Sequence, residues 1–136
     1  MTSNIPLENL NGYIWLNGKI INFSDAKIHL LTHSLHYAGA VFEGEKAIDG
    51  KIFRIIDQTD RLFLSAKQMG LEINFSREEI IKASYDLLEK NNLKNAYLRP
   101  LVWRSTDALM VKPNNPKYNL MIAAWEPRKP KNDSPL

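Results

Sequence analysis

The sequence predicts an α+β domain, a mostly antiparallel sheet with two helices, and three observations carry that expectation. Strand-like runs stand at both ends of the chain, the helical stretches lie together in the middle, and turn dipeptides join the early runs into hairpins. Strands that alternated with helices would instead point to a parallel sheet.

Taken in order, Tyr13 to Phe23 (YIWLNGKIINF) places aromatic and β-branched runs on either side of Asn17-Gly18, the dipeptide that favours a type I′ turn. A β-hairpin is expected there. Asp49-Gly50 repeats the signal between AVFEGEKAI and KIFRI, with a continuous strand expected from Ala40 to Ile48. From Asp57 to Met69, Leu62, Ala66 and Met69 recur at helical spacing, with Asp57 or Thr59 available as cap and Gly70 placed to stop the helix. Ser76-Arg77-Glu78-Glu79 is a capping box, and Ile80, Ser84, Leu87 and Leu88 follow at helical spacing until Asn91-Asn92. Two β-rich runs come last, Ala96 to Arg104 and Tyr118 to Trp125, with an Asp-, Asn- and Pro-rich segment between them. Residues 1–125 therefore read as one domain, and 126–136, with three prolines, as a disordered tail or a linker cut short.

Composition narrows the function classes. The 136 residues carry a net charge of +3 and no cysteine, and 44% of them are hydrophobic. Acidic residues interrupt the basic ones nearly everywhere, so no nucleic-acid partner is expected. Without cysteine there are no disulfides and no thiolate metal sites. No apolar run approaches a membrane span and the start lacks the regions of a signal peptide, so a cytoplasmic protein with no membrane partner is expected.

Few residues announce chemistry. His29, His33 and His36 have no carboxylate at ligand spacing on an evident helix, so they read as loop histidines and no metal site is expected. Ser34 has no acid or base signature around it, and no glycine-rich phosphate loop occurs. Strand alternation is more informative: it places Phe42, Gly44 and Lys46 on one face and Glu43 and Glu45 on the other. Gly44 weakens a strand, which fits a place where a ligand or another backbone comes close, or else a bulge or a crowded helix contact. Tyr97, Arg99, Leu101 and Trp103 share one face in the same way. Tyr97 with Arg99 makes either a carboxylate clamp or an exposed ladder of cross-strand pairs. Arg61, four residues after Asp57, is readable as half of a helix-surface ion pair.

Together, YIWLNGKII, HSLHYAGAVFEGEKAI, RLFLSAK and AYLRPLVWR, with MVKPNN ahead of LMIAAW, resemble the fold-type IV pyridoxal-phosphate enzymes, and within them the branched-chain amino-acid aminotransferases. The likeness runs from Tyr13 to Trp125 and implies the small N-terminal domain of such an enzyme. It implies pyridoxal 5′-phosphate as cofactor of the complete enzyme, with Arg61 on its phosphate. Amino acids and 2-oxo acids are the implied substrates, moving an amino group between Leu, Ile or Val and 2-oxoglutarate. Tyr97 and Arg99 are implied on substrate carboxylates, and Phe42 and Gly44 on the side-chain pocket. Tyr37 and Val111 match positions that reach across a dimer, so a homo-oligomer is implied. Lys46 stands where many relatives carry arginine, and it loses the bidentate geometry. The family's Schiff-base lysine belongs to a C-terminal domain beyond the likeness, so no catalytic residue is assigned, and the chain alone is expected to be inactive and to hold no cofactor. A binding or assembly module, or a piece of a D-amino-acid aminotransferase or aminodeoxychorismate lyase, are the alternatives. Tyr37, Phe42, Trp103 and Trp125 are expected to leave an apolar surface bare.

Overall fold

A computed structural model describes residues 10–127; most of the expected tail, from 128 on, lies outside the described residues. The chain runs β1 (Tyr13–Leu16), β2 (Lys19–Asn22), a 3-10 turn (Phe23–Asp25), α1 (His33–Tyr37), β3 (Ala40–Phe42), β4 (Glu45–Ile48), β5 (Lys51–Ile52), α2 (Ile55–Gln68), α3 (Arg77–Lys90), β6 (Ala96–Thr106) and β7 (Pro116–Trp125). The strands form one sheet in the order β2-β1-β7-β6-β4-β5, with β3 also on β6, and every pairing among the described residues is antiparallel. This is the expected α+β architecture with one short helix more than the two expected.

Both hairpin turns form where the dipeptides stand. Asn17 and Gly18 have φ of 47° and 93°, and Asp49 and Gly50 have 50° and 78°, the left-handed conformations a type I′ turn requires. α3 starts with the reciprocal capping box: Glu79 N–H donates to Ser76 Oγ, and Ser76 N–H donates to the Glu79 carboxylate. Gly70, at φ 65°, ends α2, with Gly70 N–H on the Lys67 carbonyl and Leu71 N–H on the Ala66 carbonyl.

α2 and α3 cover one face of the sheet. Leu62, Ile80 and Leu87 from the helices meet Leu98, Val102, Leu120 and Ile122 from β6 and β7, all essentially without solvent exposure. Each such side chain contributes about 1.5–3 kcal/mol of burial. Among the described residues the opposite face carries no helix of comparable length; the 26–35 segment crosses part of it.

Three local expectations are corrected. α2 begins at Ile55, not near Asp57, because Arg54 turns the chain in a left-handed conformation (φ 49°) directly out of β5. Asp57 then lies in the first turn, paired with Arg54 at 2.7 Å, and Thr59 faces the sheet, buried. Neither is a cap. His33–Tyr37 is a short helix rather than loop. The expected strand from Ala40 to Ile48 is interrupted at Glu43-Gly44, yet both halves face β6 in one register, Phe42 opposite Leu101 and Glu45 opposite Leu98. That register sets Glu43 against Pro100. Glu43 N–H donates to the Pro100 carbonyl at 3.0 Å, but proline has no N–H to return. The gap is thus a missing donor, and no extra residue is inserted, which removes the bulge reading of Gly44.

Candidate functional site

The register of β3, β4 and β6 builds the site from both faces of one interrupted strand. On the open face, Phe42, Gly44, Tyr97 and Arg99 come together as their alternation implies. The Arg99 guanidinium lies over the Phe42 ring, 4.0 Å from its centroid, and its Nη2 donates to the Tyr97 hydroxyl at 3.1 Å. Tyr97 lies across Gly44: a Cβ built there would stand 2.1 Å from the hydroxyl and 3.0 Å from Cζ. Gly44 is therefore the close approach that its cost in a strand suggested, and what approaches is the Tyr97 phenol. The Trp125 ring packs against Tyr97 on the far side, centroids 4.9 Å apart.

Among the described residues Arg99 has no carboxylate partner, and its Nε is buried without a hydrogen bond. A guanidinium between aromatic rings, beside a hydroxyl and facing no acid, is equipped to take a carboxylate from elsewhere. Tyr97 and Arg99 are half-buried and touch each other, so they do not form an exposed ladder. Lys46, opposite Tyr97 and exposed, adds a second cation on this face.

The other side of the same strand is acidic and buried. Glu43 and Glu45 point toward the helices, 3% and 2% exposed, while Phe42 on the opposite side is 56% exposed. Alternation separated these two sets; it did not reveal that the carboxylates take the inner face. Arg61 reaches from α2 to Glu43 with both arms of its fork, Nε at 2.8 Å and Nη2 at 2.6 Å, and Nη2 also meets Gln58 Oε1 at 3.3 Å. The helix-surface pair with Asp57 does not form. Glu43's hydrogen bond, then its charge, push the Arg61 guanidinium further above its already high ordinary pKa. The Arg61 side chain remains 64% exposed, and Nη1 has no protein partner among the described residues, so a donor edge faces solvent in a fixed orientation. Burial, and second the charge of Glu43, push the Glu45 carboxyl from 4.5 up to about 7.

Tyr37 and Val111 lie toward the other end of β6. Val111 is exposed in the segment between β6 and β7, and Tyr37 ends α1. His33 joins them: its Nε2 donates to the Val111 carbonyl at 3.3 Å, and its ring stands 4.8 Å from that of Tyr37. Ser34, on the same short helix, accepts from Arg104 N–H at 2.8 Å and donates to the Gly39 carbonyl at 2.5 Å, so it is a fastener. Beside α1, a cavity of about 280 Å³ opens between Ile28, Leu35, Leu16, Leu101, Trp103 and Met121. Trp103 is buried by this arrangement, contrary to the bare surface expected of it; Tyr37 and Phe42 are exposed. Among the described residues no group of three His, Asp or Glu could hold a metal ion, and no helix is long and apolar enough to cross a membrane.

With this geometry established, known proteins supply its context. The family model described as amino-transferase class IV matches residues 40–135. A probable branched-chain-amino-acid aminotransferase of Rickettsia typhi is 46% identical over 120 residues, which cover 88% of this chain and 42% of that protein. The branched-chain-amino-acid aminotransferase of Pseudomonas aeruginosa is 41% identical over 125 residues, covering 89% and 41%. Among solved structures, the branched-chain amino acid aminotransferase from Escherichia coli superposes with a TM-score of 0.81 at 36% identity, over 86% of this chain and 41% of that one. A branched-chain amino acid aminotransferase from Thermoproteus uzoniensis, solved with norvaline, superposes with a TM-score of 0.79 at 30% identity, over 85% and 41%. The chain belongs to the class IV aminotransferases, and it spans about 40% of the length of the relatives it matches.

Proposed function

We propose that this chain is the small N-terminal domain of a branched-chain amino-acid aminotransferase, working on amino acids and 2-oxo acids as part of a homo-oligomeric enzyme in the cytoplasm. The observation that carries the reading is Arg99, held over Phe42 and against the Tyr97 hydroxyl with no acid among the described residues to neutralise it. An aromatic wall beside an unpaired cation suits substrates of two kinds, branched aliphatic chains and the side-chain carboxylate of glutamate.

Pyridoxal 5′-phosphate, when bound, supplies the electron sink on which an amino group is moved. Its phosphate fits Arg61, whose Glu43-locked fork leaves Nη1 free and outward, a charge-assisted donor already fixed in direction. The chain's own residues would then bind and orient. Arg61 holds the phosphate, and Tyr97 and Arg99 hold substrate carboxylate. Phe42 and Gly44 shape the side-chain pocket, while Tyr37 and Val111 serve a partner subunit's site. No residue here is assigned the proton transfer, and the chain alone is proposed to be inactive and without cofactor.

The test uses the full-length enzyme. Arg61→Ala is expected to weaken cofactor retention roughly tenfold to a hundredfold, as loss of a charged hydrogen bond of about 1.5–3 kcal/mol implies. Arg99→Ala is expected to leave retention unchanged. Cofactor dissociation followed by absorbance distinguishes them, and equal retention by Arg61→Ala and the unaltered enzyme would remove Arg61 from the phosphate site.

A further inference from the structure

Glu43 and Glu45 are two residues apart on one continuous register, so both carboxyls enter the buried layer on the helix side of the sheet, with backbone spacing of about 7 Å. One guanidinium serves the pair, and Glu43 takes all of the contact. Glu45 Oε2 is buried without a partner, and so is the hydroxyl of Thr59, which α2 turns to the same face two residues before Arg61. A second ionised carboxylate without a donor is the arrangement that dry interiors avoid.

We propose that Glu45 is a positioning residue for Arg61: carried as the neutral acid, it leaves the buried pair with a single negative charge, and that charge orients the guanidinium toward an external dianion. The inference rests on the reading of Arg61 as a phosphate-holding residue. With Glu45 neutral, Glu43 and Arg61 balance and the free Nη1 edge meets a phosphate with no excess negative charge behind it. Ionising Glu45 adds one uncompensated negative charge behind the site, which repels a dianion.

The surroundings contain little else that could take that role. From α2 the charged group facing the pair is Arg61, since Asp57 and Asp60 are engaged at the surface by Arg54 and Arg77. Opposite and beside the pair, β6 turns Leu98, Pro100 and Val102 to this face and β7 turns Leu120 and Ile122; the charged group that β6 adds, Arg104, lies farther along the strand and donates to the Gly70 carbonyl at the end of α2. β5 contributes Ile52, with Lys51 turned outward, and from α3 Tyr85 reaches β5, where its hydroxyl accepts from Ile52 N–H at 3.3 Å. The raised pKa of Glu45, about 7, places the change of state near neutrality.

The experiment follows the Arg61 Nε–H resonance and the Glu45 carboxyl carbon by NMR in this chain between about pH 5.5 and 8.5, with and without sulfate, a dianion that does not titrate there. Arg61 Nε–H is expected to shift with the same midpoint as Glu45, and sulfate affinity at Arg61 to fall roughly threefold to tenfold across the range. Glu45→Gln, which mimics the neutral acid, is expected to keep the low-pH affinity and lose the pH dependence; every histidine is the same in both proteins. An Arg61 resonance that ignores the titration of Glu45, or a Glu45 midpoint below about 5, overturns the inference, and the unaltered chain alone decides this if the variant does not fold. If sulfate causes no shift that Arg61→Lys abolishes, the phosphate reading fails, while the shared midpoint of Arg61 and Glu45 still supports or contradicts the positioning role by itself.

Discussion

The two faces of β6 carry opposite designs. Leu98, Pro100 and Val102 point under α2 and α3 into a closed apolar layer, and of the acids admitted there from the neighbouring strand Glu43 is held by one arginine and Glu45 is pushed by burial toward its neutral form. Tyr97, Arg99 and Leu101 point the other way, where the Arg99 guanidinium stands against the Phe42 and Tyr97 rings and no acid among the described residues answers it. The difference separates what the fold needs from what it carries. The apolar residues of the inner face are explained by contacts within the chain, whereas Arg99 and Phe42 are held in a defined arrangement that nothing among the described residues requires.

The largest test of that division is a pair of truncations on one strand. Leu98→Ala, at a position without solvent exposure, should cost about 3–5 kcal/mol by urea unfolding, and Leu101→Ala, half-buried on the open face, about 1–2 kcal/mol. Similar costs would mean that both faces are structural. The second test is the pH dependence of stability. Because Glu45 is raised from 4.5 to about 7, the folded chain binds a proton more tightly than the unfolded one. Its contribution is therefore complete below pH 4.5 and is lost as pH rises toward 7, up to about 3 kcal/mol. Urea midpoints of the unaltered chain and of Glu45→Gln should diverge across that window, and parallel curves would show that Glu45 is not carried neutral.

The smallest effect on stability belongs to the open face. Gly44→Ala requires no unusual backbone angle, but its Cβ would displace the Tyr97 ring. The cost should be about 1 kcal/mol, with loss of the Tyr97–Arg99 hydrogen bond visible as a changed Arg99 Nε–H environment. An unshifted resonance would show that the phenol does not depend on the glycine.

Much of this was legible beforehand, and the rest had identifiable reasons to be hidden. Asn17-Gly18, Asp49-Gly50 and the Ser76 capping box declare local geometry through their own chemistry, and each forms as read. The grouping of Phe42, Gly44, Tyr97 and Arg99 followed from alternation within two strands; their side-by-side placement needed the register that only the folded sheet supplies. The start of α2 was obscured because Arg54, an unusual residue for a left-handed turn, does what a polar cap would signal. His33–Tyr37 is too short for periodicity to register. The partner of Arg61 was missed since a nearby acid on its own helix, Asp57, offered a local explanation, while Glu43 lies 18 residues away in sequence. That two glutamates rather than Phe42 should face the core runs against the ordinary rule for strands.

The central claim, that the open face is a substrate surface whose specificity resides in Arg99, is tested most directly by half-reactions of full-length Arg99→Ala with glutamate and with leucine. The account predicts a loss of about a hundredfold for glutamate, whose second carboxylate would enter an apolar pocket unpaired, and under about tenfold for leucine. Equal losses for the two amino acids would contradict it, placing Arg99 on the α-carboxylate that both substrates share.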